Sequence, residues 1–358
     1  MPNSPRKSAT LRDVALLAGI DKATASRALN GKGGMSPATR DAVFKAAQEL
    51  RYQPDLYALR LKSGAGHNTI ALLPRRDLGV MAQQATFINH RLEEIGFEVQ
   101  SSNISLWIAE IEERQVALVN RVCRQRPGAI ICGFIDLFPE TLEKLRLFMQ
   151  EGGVVVGYGN KTDLDCDQVV LDAEHRGYLA TRHLLELGHR ELGFCIHGGN
   201  LQDSADVAGF RRAMEEFGAA VEEDWIFGGG HYEEGGARLA QAYLDWPKKP
   251  TGLCIINDVS ASVFVTALHL NGYSVPDDVS VVGCDDAPIA RYALVPLTTV
   301  SYPLEVIGNQ VVELTQSRLN GYDGPPRMVT AQSELIPRRS SAPCSQRVCP
   351  KRAPLPNR

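Results

Sequence analysis

The sequence lacks what would carry it into a membrane. No uncharged apolar run approaches the roughly 18 residues that a span needs, and the opening MPNSPRKSAT has no apolar signal-peptide stretch. None of the eight cysteines forms a CxxC pair or stands beside a metal-spaced histidine, which argues against a disulfide scaffold or a zinc module. Cys132, Cys195 and Cys254 sit in the apolar runs AIIC, LGFCI and LCII and read as small buried residues of a cytoplasmic protein. No nucleophile–base set is legible, so an enzyme reading has no residue to name. His183 and His189 have no third ligand and read as packing or surface residues. GYGN, with Gly157 and Gly159, lacks the later glycine and Lys-Ser/Thr of a phosphate loop. Asp163, Asp165, Asp167 and Glu174 have calcium-loop spacing, yet Gln168 stands where the sharp turn needs glycine. The sequence thus implies neither a metal nor a cofactor.

What it has is 358 residues of ordinary globular composition, 44% apolar and 22% charged, enough for two or three domains. The net charge of −4 conceals a strong asymmetry. Residues 1–68 carry 11 basic and 5 acidic side chains, residues 337–358 carry 6 basic and none acidic, and the middle is strongly acidic. A basic head on an acidic body suggests that the head meets a polyanion while the body does something else.

The head reads as three short helices. Thr10 followed by Asp13 is a capping pattern, after which Leu11, Val14, Ala15 and Ala18 share a face and Gly19 ends the helix. Asp21 can cap a second helix with Ala25, Ala28 and Leu29 inward, and Ser36-Pro37 opens a third with Val43, Phe44, Ala47 and Leu50 as its buried stripe. Helix, glycine turn, helix is the geometry of a helix-turn-helix, whose second helix enters the major groove. Lys22 and Arg27 supply donors for guanine edges, while Thr24, Ser26, Asn30, Ser36 and Thr39 are short donors suited to phosphates. From pattern alone, a solvated three-helix bundle remains the alternative.

From Asn68 onward, strand-like runs alternate with helical stretches: TIALL, FEVQS, GAIIC, GVVVG, QVVLD, LGFCI, GLCII and VSVVG. Such alternation predicts parallel sheets flanked by helices, and the length suits two of them with a ligand cleft between. The tail from Pro337 to Arg358 is Pro-rich, basic and aperiodic, which predicts disorder and offers no leucine heptad for tetramers.

TLRDVALLAGIDKATASRALNG, MSPATR, YQP and LYALRLKSG together resemble the N-terminal domain and hinge of the lactose repressor and galactose repressor family of bacterial transcription regulators. The blocks LATRHLLELGHREL, AGFRRAMEEFG, GYSVPDDVSVVGCDD and LTTVSYPLEVIG continue the resemblance in family order to about residue 336. The resemblance implies an all-α helix-turn-helix DNA-binding domain joined to an α/β, two-lobed, periplasmic-binding-protein-like (type I) effector domain. The expected divisions are a basic arm (1–9), the helix-turn-helix domain (10–54), a hinge helix and linker (55–67) and an effector-binding and dimerisation body (68–336). Within the body, the N-lobe is expected at about 68–165 and 297–325 and the C-lobe at about 166–296 and 326–336, followed by the tail (337–358).

Carried over residue by residue, the resemblance places Lys22, Ala23 and Arg27 at base-reading positions. It places Thr10, Thr24, Ser26, Asn30, Ser36 and Thr39 at phosphates, and Ala58 and Leu61 at the minor groove, where a leucine wedge kinks the DNA. Asp21 and Asp55 stand where the family usually has Ser and Asn. Effector contacts fall on Arg75, Arg76, Asp77, Gly159, Asp206, Trp225, Asn257 and Asp285. DLGVM replaces the usual Asn-Pro-Phe stretch, Gly159 replaces a pocket aspartate, and Asp206 replaces an arginine. That last exchange predicts a neutral or amine-bearing carbohydrate effector rather than an acidic one. The expectation is a cytoplasmic, nucleoid-associated homodimeric repressor of a pseudo-palindromic operator, under allosteric control by a sugar. A sugar-binding transport protein or a sugar-processing enzyme would use the same body, but the first needs a signal peptide and the second paired acid and base groups.

Overall fold

The computed structural model describes residues 11–21, 24–25, 28, 36–49, 69–74, 79–103, 111–134, 137–196, 201–230 and 232–344. In the head, α1 (Leu11–Leu17) and α2 (Pro37–Glu49) pack around a core of small residues: Val14, Ala15, Ala25, Ala28, Val43, Ala46 and Ala47. Small inward residues let helices cross closely, and the i, i+3, i+4 set of α2 is Val43, Ala46 and Ala47. Phe44, expected in that stripe, lies about 60° around the helix from Ala47 and about 100° from Val43, and is half exposed.

The body is built on two six-stranded sheets. The first has the order β11-β5-β4-β3-β1-β2, made of β1 (Thr69–Leu73), β2 (Glu98–Ser101), β3 (Ala129–Phe134), β4 (Val154–Gly159), β5 (Asp167–Leu171) and β11 (Met328–Ala331). The second has the order β12-β10-β9-β8-β6-β7, made of β6 (Leu192–Ile196), β7 (Ile226–Gly228), β8 (Gly252–Ile255), β9 (Ser280–Asp285), β10 (Thr298–Ser301) and β12 (Leu335–Ile336). All pairings are parallel except β10 with β12.

Buried apolar runs follow from a sheet covered on both faces. In β1, Ile70 and Leu72 enter one core while Ala71 and Leu73 enter the opposite one. In β8, Cys254 faces one side of the second sheet, Leu253 and Ile255 the other. Cys132, Cys195 and Cys254 are buried as expected. The flanking helices are α3 (Gly79–Glu94), α4 (Ile111–Gln125), α5 (Pro139–Gln150) and α11 (Leu304–Leu319) for the first sheet. The second has α6 (Ala173–Glu186), α7 (Ala205–Glu216), α8 (Tyr232–Asp245), α9 (Asp258–Leu270) and α10 (Pro288–Tyr292).

The chain changes lobe later than the expected 165, 296 and 326. β5 pairs with β4 and β11 in the first sheet, and β10 pairs with β9 in the second, so the crossings fall at Asp172, at Tyr302 and at 332–334. At each expected position the chain first adds one more strand to the sheet it is in, β5, β10 or β11, before it leaves.

The first part of the tail, expected to be disordered, is structured. Residues 337–344 are a strap seated along the second lobe. Ser340 Oγ accepts from Thr298 N at 2.8 Å and donates to Val281 O at 2.6 Å. His189 Nε2 lies 3.0 Å from Ala342 O, and His183 Nε2 lies 2.9 Å from Ser341 Oγ. Composition predicts disorder because it counts no contacts; here Ser340 is fully buried and Ser341 and Ala342 are half-buried against the lobe. Residues 345–358 lie outside the described residues.

Asp167 is held in the first lobe by Arg318 and Arg327 at 2.9 and 2.7 Å. Among the described residues no group of His, Cys, Asp and Glu is arranged to hold a metal, and no helix is long and apolar enough to cross a membrane.

Candidate functional site

In the head, the Asp21 carboxylate accepts from Thr24 N at 2.9 Å and from Thr24 Oγ1 at 2.6 Å, so Asp21 caps the start of the second helix. Gly19, at φ +68°, makes the turn before it, a left-handed conformation that glycine adopts without penalty. Ser36 Oγ accepts from Thr39 N at 3.1 Å and lies 2.8 Å from Thr39 Oγ1. Thr24, Ser36 and Thr39 thus stand in the first turns of helices, with the N–H groups of Thr24 and Thr39 committed to the Asp21 and Ser36 caps. Thr10, Lys22, Ala23, Ser26, Arg27, Asn30, Asp55, Ala58 and Leu61 lie outside the described residues.

In the body, left-handed backbone gathers at the carboxyl ends of the strands. Gly159 (φ +104°) closes β4, Asn257 (φ +92°) follows β8, and Asp285 (φ +106°) with Asp286 (φ +50°) closes β9. For residues other than glycine each such conformation costs on the order of 1–3 kcal/mol, and persists where the surroundings over-determine it. Asn257 is fixed as the N-cap of α9, its side chain accepting from Ser260 N at 2.8 Å.

Beside it, Asp258 is fully buried, with Thr299 Oγ1 at 2.7 Å from Oδ1 and Ala287 N donating to Oδ2 at 2.8 Å. Gly283 makes room for it, since a Cβ there would lie 2.2 Å from Asp258 Oδ1. Burial, then the charge of Asp285, pushes the Asp258 carboxyl up to about 8, against the pull of the Thr299 and Ala287 hydrogen bonds. A value near 8 makes the protonated form of Asp258 the more populated one at pH 7. Asp285 is raised as well, by burial first, with Arg176 pulling it down and Asp206 pushing it up. Asp286 pairs with Arg338 of the strap and, at 3.2 Å, with Arg291.

Asp206, in the first turn of α7, does not stand alone. Arg176 of α6 meets it at two points, Nε to Oδ1 at 2.8 Å and Nη2 to Oδ2 at 2.9 Å. Two glycines bring the helices close enough: a Cβ on Gly177 would lie 2.1 Å from Asp206 O, and one on Gly209 would lie 1.9 Å from Glu174 O. The negative charge of Asp206, from which a neutral or amine-bearing effector was expected, is thus cancelled at contact distance by Arg176, a residue the sequence pattern did not single out.

Trp225 is not at the cleft. It precedes β7 at the amino ends of the strands, buried against Gly193 with Lys248 over its ring, so its place is core packing. The structure therefore brings Gly159, Asn257, Asp206 and Asp285 to strand carboxyl ends and helix starts, and adds Arg176, Asp258 and Tyr302. Arg75, Arg76 and Asp77 lie outside the described residues.

Comparison with known proteins gives two family matches, to bacterial regulatory proteins of the lacI family over residues 10–55 and to the periplasmic binding protein-like domain over residues 181–341. The chain is 30% identical over 339 residues to the HTH-type transcriptional repressor PurR of Vibrio parahaemolyticus, covering 93% of this chain and 98% of that protein. The corresponding repressor of Vibrio cholerae is 28% identical over 337 residues, covering 92% and 97%. Among solved structures, the transcriptional regulator CelR in complex with cellobiose superposes with a TM-score of 0.66 at 27% identity, over 93% of this chain and all of that one. The lac repressor dimer bound to operator and the anti-inducer ONPF shares the fold, with a TM-score of 0.69 at 21% identity over 94% of this chain and 100% of that one. The expected architecture, a helix-turn-helix head on a two-sheet periplasmic-binding-protein-like body, is met.

Proposed function

The chain belongs to the lacI family of bacterial regulatory proteins, and from that premise we propose that it is a homodimeric repressor whose grip on a pseudo-palindromic operator is set by a carbohydrate. That it is a DNA-binding transcriptional regulator with a small-molecule effector follows from the family; the repression, the dimer and the class of effector are the proposal. The curated relatives are repressors rather than enzymes, and the cytoplasm is where such a protein would meet its operator.

The observation that carries the effector class is the polar lining at the carboxyl ends of the second sheet. Arg176, Asn257 and Asp285 offer donors and acceptors with little net charge, as a polyhydroxyl ligand requires. The solved regulator bound to cellobiose supports the same class. Lys22, Ala23 and Arg27 would read bases; Thr10, Thr24, Ser26, Asn30, Ser36 and Thr39 would hold phosphates; Ala58 and Leu61 would enter the minor groove.

Coupling works by differential affinity. The three crossings at Asp172, Tyr302 and 332–334 are the covalent links between lobes, so a ligand touching both lobes favours one angle between them. That angle sets the spacing of the two heads in a dimer, and with it the fit to two half-sites.

The test is anisotropy titration of full-length protein against DNA recovered by binding-site selection, with and without a panel of neutral sugars. The reading expects one sugar to shift operator affinity at least tenfold while leaving binding to random DNA unchanged. A panel without effect would overturn the carbohydrate assignment.

A further inference from the structure

We propose that Arg176, held in place by Asp206, is the guanidinium that binds the effector, and that with Tyr302 and Asp285 it selects a neutral vicinal diol. This rests on the carbohydrate reading above and assigns its specificity to side chains. Asp206 then becomes a positioning residue that touches Arg176 rather than the ligand.

Arg176 uses Nε and Nη2 on Asp206, which leaves Nη1 without a hydrogen bond among the described residues. The Arg176 side chain keeps 13% of its surface exposed, so the guanidinium is not sealed away from a ligand. The two-point clamp fixes the fork, and a guanidinium fixed in this way loses little entropy when it donates again. Tyr302 supplies the second observation. It is 7% exposed and its ring packs in the core of the first lobe, yet its hydroxyl is buried with no partner. An orphaned buried hydroxyl costs about 1–3 kcal/mol, a cost relieved by a ligand oxygen. Its backbone N donates to Asp285 O at 3.1 Å, and its hydroxyl feels the charges of Asp285 and Arg176. Tyr302 is also one of the three crossings, so its ring packs in one lobe while its backbone N–H is bonded to Asp285 of the other.

The charges around this point select the ligand. Arg176 is balanced by Asp206, so an anion arriving at Nη1 also meets Asp206 and Asp285; a cation drawn to Asp285 meets Arg176. Adjacent hydroxyls satisfy both sides, one oxygen accepting from Nη1 and the other donating to Asp285, with the Tyr302 hydroxyl able to do either.

The experiment is calorimetric titration of the full chain with glucose, galactose, ribose, cellobiose and their single-deoxy analogues, alongside acidic and phosphorylated sugars. It uses wild type, Arg176→Lys and Tyr302→Phe. Lysine keeps the charge facing Asp206 and so keeps the ion pair, but lacks Nη1. The expected result is at least about tenfold weaker binding of one neutral sugar to Arg176→Lys, with the ratio collapsing toward one for the analogue missing the bound hydroxyl. Tyr302→Phe should weaken the same sugar while leaving the unliganded protein as stable or more so. An unchanged affinity, or a loss equal for every analogue, overturns the role of Arg176 and leaves the carbohydrate reading standing. Binding confined to acidic or phosphorylated sugars overturns the diol. If no sugar binds wild type, the carbohydrate reading fails first and the proposal falls with it.

Discussion

Thr299 Oγ1 sits 2.7 Å from Asp258 Oδ1, and this contact closes the one side of a carboxyl group that is otherwise sealed by Ala287 N and Gly283. A carboxyl group whose folded pKa is about 8, against 3.8 ordinarily, is protonated in the folded state while the unfolded chain has already lost its proton. Stability therefore falls as pH rises from about 4 to about 8, by up to about 1.4 kcal/mol per pH unit, and is flat beyond. Asparagine imitates the neutral acid, donating to Thr299 and accepting from Ala287. Asp258→Asn should match wild type near pH 4 and exceed it increasingly toward pH 8 in thermal unfolding; parallel curves would show that Asp258 is ionised when folded.

Asp167 behaves in the opposite sense. Burial alone would raise its carboxyl, but the hydrogen bonds of Arg318 and Arg327 outweigh burial and lower it to about 2. The stability it contributes is present above the ordinary value of 3.8 and is lost as pH falls toward 2. Asp167→Asn leaves two guanidinium groups facing a neutral amide and should cost about 3–5 kcal/mol at pH 7. Chemical denaturation checks the loss, and the mutant should also lack the acid-limb slope between pH 4 and 2.

The α6–α7 contact gives a third test. With a Cβ at Gly209 placed 1.9 Å from Glu174 O and one at Gly177 placed 2.1 Å from Asp206 O, neither backbone can yield without parting the helices. Gly209→Ala and Gly177→Ala should each cost about 1–3 kcal/mol or more. Both should also weaken sugar binding, because the same contact sets the Arg176–Asp206 geometry. Melting temperatures within a degree of wild type would refute the close approach.

For the DNA head, Arg27→Ala should cost roughly 1–3 kcal/mol on the operator and relax preference at one position per half-site. Arg6→Ala or Lys7→Ala should weaken all sequences alike. Leu61→Ala should remove most of the DNA bend in gel-mobility assays, and an equal bend would exclude the wedge.

The sequence made the repeating part of this architecture legible and hid the rest for identifiable reasons. LGFCI was bounded without error because a strand covered on both faces is apolar throughout. β7, β10, β11 and β12 escaped because they are two to four residues long, and Thr298 and Thr299 are polar yet buried. Asn257 and Asp285 could be placed through a resemblance in motif. Arg176 could not, since its partner lies 30 positions away and nothing local distinguishes it from the surface arginine Arg182 on the same helix. The small residues Gly177 and Gly209 were the available signal, as paired glycines on neighbouring helices mark a close crossing.

The last prediction concerns the dimer. The end of α10 and the loop after it expose Tyr292 (85%) and Leu294 (54%), with Ile289 nearby, although the same segment anchors Ala290 and Leu297 in the core. Apolar side chains held outward on a rigid segment lose little entropy when covered, which suits a surface that a second copy occupies. A helix-turn-helix reader needs that second copy, because one head reads one half-site and the product of two contacts gives the affinity. Tyr292→Glu with Leu294→Glu should leave the fold intact, since neither side chain is buried, while shifting sedimentation from dimer to monomer. Operator affinity should drop by at least about a hundredfold, whereas sugar affinity, which depends on a single chain, should stay as it was. A variant that remains dimeric by analytical ultracentrifugation would remove this face from the interface, and a variant that loses sugar binding along with dimerisation would show that the cleft itself depends on the partner.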